Sequence, residues 1–154
     1  MIGSLLRLRF KLVSSLNHFN IYSDSRSPYL TQKTKKIMSM QEIKGEDYSI
    51  QYDRASVTVS FIGELSLGGS VEYAPIVELL NEVANPEPPT ITLNLKKLEF
   101  VNSSGISMLS KFVITVRKKK TIQLLVLGSN DVPWQQKSLK NLEKLLPTLK
   151  LELD

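Results

Sequence analysis

Between Tyr48 and Leu153 the apolar residues switch repeatedly between two spacings, and that alternation limits the folds open to the chain. Tyr48, Ile50 and Tyr52 alternate with polar residues, and so do Val57, Val59 and Phe61 beyond the short Asp53-Arg54 turn. A period of two places one face of a strand against a core, so the two runs read as a β-hairpin. Gly63 and then Gly68-Gly69 mark a loop. Ile76, Leu79, Leu80 and Val83 follow the spacing of an amphipathic helix, with Pro75 in its first turn and Asn85-Pro86 as its stop.

The pattern then repeats. Ile91, Leu93 and Leu95 form a third strand. Ile106, Leu109, Val113 and Val116 are the inward stripe of a second helix, closed by Arg117-Lys118-Lys119-Lys120, where cations suit the helix C-terminus. Ile122 to Leu127 is a nearly continuous apolar run, expected of a central strand covered on both faces. Asp131 is a candidate cap for a third helix with Pro133 in its first turn and Leu139, Leu142 and Leu146 inward. Pro147 ends it, and Leu149, Leu151 and Leu153 alternate as an edge strand. The order β-β-α-β-α-β-α-β predicts an α/β domain with a mixed sheet of about five strands covered by three helices.

Composition narrows the chemistry. The 154 residues contain no cysteine, which excludes disulfides and thiolate metal sites, and His18 is the single histidine. No apolar run reaches the ~18 residues of a membrane span. The net charge of +5 is unevenly placed. Residues 1–40 carry seven Lys or Arg against Asp24 alone, a balance of +6, whereas residues 41–154 carry 13 basic and 14 acidic residues, a balance of −1. The overall basicity therefore does not mark the body as a nucleic-acid protein. Residues 1–40 read as a basic extension, flexible or not native (with initiation at Met38 or Met40). A targeting or membrane-surface segment around Leu5–Val13, and an extra element docked on the body, are the other readings. Residues 41–154 form the domain.

Asn102-Ser103-Ser104-Gly105 lies where the third strand gives way to the second helix. The first N–H groups of a helix are unpaired and its macrodipole end is positive, so a serine there can cap, bind an anion or accept a phosphoryl group. Asn102 is equally a good N-cap, and Gly105 can serve close packing alone. Hydrolysis by Ser103 or Ser104 lacks a general base, and the Gly-x-Ser-x-Gly elbow is missing. Neither Gly-x-x-x-x-Gly-Lys-Ser/Thr nor Gly-x-Gly-x-x-Gly occurs. Glu64, Glu72 and Glu99 have no spacing that pairs them. The Lys118–Lys120 run either contacts phosphate or acidic lipid or is a solvated helix end. Trp134 is either a partner anchor or packed under the third helix. No catalytic residue, metal ligand or cofactor is expected.

The stretch Leu93 to Gly105, ending in Phe100-Val101-Asn102-Ser103-Ser104-Gly105, resembles the signature of the STAS domain, shared by bacterial anti-sigma factor antagonists and the cytoplasmic tails of sulfate transporters. The element order over 45–153 resembles that fold, and Gly63-Glu64-Leu65 resembles its Gly-x-Leu. Asn102 stands where the family has aspartate, and Asn94 and Lys96 depart from its Asp-x-Ser stretch. The resemblance implies a cytoplasmic, non-enzymatic switch in signal transduction and transcription regulation. Ser103 would be the phosphoacceptor, and Asn102, Ser104 and Gly105 would bind the partner or shape the turn. It implies as partners a serine kinase that is itself the anti-sigma factor, and a metal-dependent phosphatase, with no direct nucleic-acid contact. The alternatives are a STAS-like scaffold or sensor subunit that is never phosphorylated, and a small-ligand pocket at the same turn.

Overall fold

A computed structural model describes residues 39–154. The readings placed on residues 1–38 fall outside it. The described residues form six strands and three helices: β1 (Met40–Lys44), β2 (Tyr48–Asp53), β3 (Thr58–Leu65), α1 (Ser70–Ala84), β4 (Thr90–Val101), α2 (Ser103–Lys119), β5 (Gln123–Gly128), α3 (Pro133–Leu145) and β6 (Lys150–Leu153). They build one sheet in the order β1-β2-β3-β4-β5-β6. The β1-β2 and β2-β3 pairs are antiparallel, and β3 to β6 run parallel.

The expected α/β class and mixed sheet are what the chain forms, with one strand more than expected. That strand is β1, in which Gln41 and Ile43 turn inward opposite Tyr52 and Ile50. A single apolar residue on the inward side left it without a visible alternation. The hairpin turn is longer than Asp53-Arg54: Val57 belongs to it, at φ 50°, a left-handed conformation uncommon for a β-branched residue.

Successive right-handed crossovers through a strand order that never reverses place all three helices on one face of the sheet. The core lies between them. Ile50, Val59, Phe61, Ile91, Leu93, Leu124 and Val126 point toward Ile76, Leu80, Leu109, Val113 and Leu139, all buried. The opposite face carries Ser49, Gln51, Ser60, Thr92 and Asn94. Leu125 and Leu127 lie on that side and are half-exposed. Among the described residues, helices therefore cover β5 on one face only, and its apolar run mimics a doubly buried strand because two leucines sit on the other side.

Local chemistry explains the other departures. α1 begins at Ser70, a turn earlier than its stripe suggests, so Pro75 is its sixth residue. The N–H that proline lacks would have met the carbonyl of Val71, and Val71 is exposed. α2 buries Gly105, Met108 and Phe112 beside Leu109, Val113 and Val116, while Ile106 is half-buried. Asp131 does not cap α3. Val132 holds the N-cap position without a side-chain bond, Pro133 takes N1, and Leu139 and Leu142 face inward with Leu146 buried just beyond the helix.

β4 is the long element and positions the site. Its buried residues fall at 91, 93, 95, 98 and 101, so the spacing widens from two to three. Two register shifts against β3, between Ser60 and Ile62 and between Gly63 and Glu64, account for it. Each inserts one residue and returns the next apolar side chain to the core. Gly63 sits at the second shift at φ 90°, and a Cβ there would stand 2.2 Å from the Asp47 carbonyl oxygen, so only glycine fits.

Candidate functional site

The carboxyl end of β4 outruns its neighbour. β5 pairs with β4 only as far as Asn94. Beyond that the β4 carbonyls are taken by the start of α3: Trp134 donates its indole N–H to Leu98 O at 3.0 Å, and Gln135 donates its amide to Leu95 O at 2.6 Å and Leu98 O at 3.1 Å. The Gln135 side-chain oxygen accepts from the Ser129 N–H at 2.8 Å. Gln135 is 0% exposed. A glutamine thus replaces a missing strand, which requires a side chain that both donates and accepts. Trp134 is half-buried and bonded into the sheet, which favours packing over an anchoring role.

At the tip of β4 the chain turns into α2 on Asn102. Its Oδ1 accepts from the Gly105 N–H at 2.9 Å and from the Tyr73 hydroxyl at 2.6 Å, and its Nδ2 donates to Leu67 O at 2.8 Å. Its own N–H reaches Leu65 O at 3.1 Å. Gly105 N–H can only donate and Leu67 O only accept, which fixes the orientation of the amide. Asn102 therefore caps α2 and also ties the β3-α1 loop to it. An aspartate in its place would set an acceptor against the Leu67 carbonyl.

Tyr73, 2% exposed, closes the network from α1. Its hydroxyl also accepts from the Leu67 N–H and lies 3.3 Å from Leu65 O. Sequence reasoning missed Tyr73, whose position on α1 fits the inward stripe and gave no polar signal. Gly105 is buried beneath these groups. A Cβ there would lie 2.4 Å from Val101 Cγ2 and 2.8 Å from the Tyr73 oxygen. Of the two roles expected of Gly105, shaping the turn fits its burial, and contact with a partner does not.

Ser103 opens α2 and is exposed, and its hydroxyl makes no hydrogen bond to any described residue. Ser104 is half-exposed. Both N–H groups precede the first intrahelical bond, which Ile106 donates to Asn102 O. Around this end lie two exposed apolar side chains, Phe100 (48%) on β4 and Val71 (85%) on the first turn of α1. Glu64 and Glu99 are exposed and unpaired with each other, and Glu72 accepts from the Gly68 N–H at 2.9 Å. Among the described residues no cluster could hold a metal ion, and no helix is long and apolar enough to cross a membrane.

Burial raises the Tyr73 hydroxyl above its ordinary value, opposed by the bond from Leu67 and assisted by Glu72. The folded state therefore favours the neutral phenol. That contribution to stability is complete below the unfolded value of about 10 and is lost as pH rises through the folded value. Denaturant midpoints measured between about pH 9 and pH 11 should fall more steeply for the parent than for Tyr73→Phe. Tyr52, raised chiefly by burial as well, leaves part of the slope in the variant.

Among solved structures the chain is similar to SiaC of Pseudomonas aeruginosa, at 14% identity and a TM-score of 0.58, over 76% of this chain and 100% of that one. It is also similar to an anti-sigma factor antagonist from Mycobacterium paratuberculosis, at 21% identity and a TM-score of 0.45, over 73% of this chain and 82% of that one. No protein-family model matches the sequence, and comparison with curated proteins finds no match. What the chain shares with SiaC is the fold, an α/β domain with a mixed sheet and three helices, the class that the alternation of strands and helices predicts.

Proposed function

We propose that the chain is a protein switch of the anti-sigma factor antagonist type. Ser103 accepts a phosphoryl group from a partner serine kinase, and the surface around Ser103 docks on that partner. The observation that carries this reading is an exposed hydroxyl, bonded to no described residue, at the first position of a 17-residue helix and held there by a cap whose side-chain oxygen and nitrogen are both engaged. In the transfer a bond forms between Ser103 Oγ and the γ-phosphorus of ATP, and the bond to the β-phosphate oxygen breaks. The hydroxyl proton leaves to a base of the kinase, since this end of the chain has no histidine. The phosphoserine carries about −1.5 to −2 charges. The free N–H groups and positive end of α2 accommodate it without refolding. Phe100 and Val71 supply apolar surface suited to a protein partner. A partner fitted to them and to a neutral hydroxyl would then face desolvation of a dianion. Removal by a phosphatase restores the first state. The chain itself is not an enzyme in this scheme, and it acts in the cytoplasm, where such kinases work.

Mass spectrometry of native protein isolated from its own cells should find one phosphoryl group, mapped to Ser103 and absent in Ser103→Ala. Ser103→Asp should weaken the complex with the partner kinase at least tenfold, about 1.4 kcal/mol, with an unchanged melting profile. Phosphate only elsewhere, or equal binding by both variants, overturns the assignment. A second reading rests on Asn102, whose bonds serve the cap and the α1 loop alone. The chain is then a scaffold or sensor subunit that is never phosphorylated, and Ser103→Ala leaves both partner binding and stability within about 1 kcal/mol of the parent.

A further inference from the structure

The helical layer is sharply divided in charge. α1 carries Glu72, Glu78 and Glu82 and no basic residue, whereas α2 carries four cations and no acid, and α3 carries Lys137, Lys140 and Lys144 with Glu143. The three lysines are spaced i, i+3, i+7 and all are exposed, opposite the buried Gln135, Leu139 and Leu142. Arg117 reaches across from α2 to Leu145 O at 3.4 Å, which joins the end of α2, with Lys118 and Lys120, to this stripe. Among the described residues the one ion pair is Lys96 with Asp154, so these six cations face solvent without a carboxylate partner. Helix dipoles account for the cations at the two C-termini but not for Lys137 and Lys140, and like charges at this spacing oppose the helix. Net charge does not account for them either, because residues 41–154 sum to −1.

We propose that the outer face of α3, with the adjoining end of α2, is a contact surface for an anionic lipid bilayer. Five of the six cations are lysines, point charges that attract a charged plane without demanding a fixed geometry. The outer faces of two helices packed side by side on a sheet present such a plane. The exposed residues of α2 and α3 include no aromatic side chain on which a base could stack, which disfavours single-stranded nucleic acid. Leu5 to Val13 in the sequence interleaves Arg7, Arg9 and Lys11 with apolar residues, a composition suited to the headgroup boundary and not to a duplex. Lys118 lies fifteen residues beyond Ser103 on α2, about 22 Å along the helix, so a chain held this way keeps Ser103 free.

The test is sedimentation of the full chain with vesicles of phosphatidylcholine alone or with phosphatidylserine. The parent should bind only the anionic vesicles and release them in high salt. The triple variant Lys137→Gln, Lys140→Gln, Lys144→Gln should bind about a hundredfold more weakly, at roughly fivefold per charge, with the same melting profile. Parent-like binding by the triple variant would assign attachment to another part of the chain and overturn the proposal. So would equal binding to both vesicle types, or no vesicle binding with lysine-dependent binding to duplex DNA in its place.

Discussion

Gln135→Leu should lower the free energy of unfolding by about 3 kcal/mol, because it orphans the part-buried Ser129 N–H and the buried Leu95 carbonyl at about 1–3 kcal/mol each. The side chains are close in volume, so little of the loss comes from a cavity. Leu98 O keeps the Trp134 indole and is not counted. Gln135→Glu should be at least as damaging at neutral pH: it keeps the bond from Ser129 but aims a buried carboxylate at two carbonyls. Urea unfolding with an unchanged m-value checks both variants. A loss below about 1 kcal/mol for the leucine variant would mean that β4 does not depend on α3 for its missing neighbour.

The second large effect belongs to Asn102. Asn102→Ala removes the cap on Gly105 N–H, the acceptor for Tyr73 and the donor to Leu67 O in one step. The expected cost is about 3 kcal/mol: about 1 for the cap and the rest for the Tyr73 and Leu67 groups left without it. Asn102→Asp separates the contributions. The carboxylate keeps two accepted bonds and gains up to about 1 kcal/mol from the helix dipole, but the Leu67 carbonyl loses its donor and meets an acceptor. A net loss of about 1 kcal/mol is expected, although aspartate is the residue this position has in the family that the sequence resembles. Thermal and urea unfolding of the two variants side by side checks the order Asn, Asp, Ala. Aspartate at least as stable as asparagine would show that the tie to the β3-α1 loop contributes nothing.

Elements with strong periodicity were legible in advance, and the failures share a cause. The α3 stripe and the hairpin followed from side-chain spacing, because burial on one face imposes that spacing. β1 was not legible, since Ile43 alone marks its inward side in apolar terms. The two register shifts hid the far half of β4 by breaking its period of two, and Leu125 and Leu127 concealed that the described helices cover only one face of β5. At the site, Asn102 and Ser103 were visible as a cap followed by a hydroxyl. Tyr73, 29 positions away, and Gln135, 40 from its Leu95 partner, were not, because their polar atoms meet partners that only folding brings near.

Sequence by itself determined the alternation of strands and helices, and with it the α/β class and the place of Asn102-Ser103-Ser104-Gly105 at a strand-to-helix junction, because these depend on contacts a few residues apart. Tertiary structure alone decided that the described helices all lie on one face of the sheet, that Gly105 is packed away while Ser103 is exposed, and that the Asn102 amide accepts from Tyr73 while it donates to Leu67 O. Those outcomes depend on which carbonyls are left without partners once distant strands and helices have come together, and spacing along the chain carries no record of that.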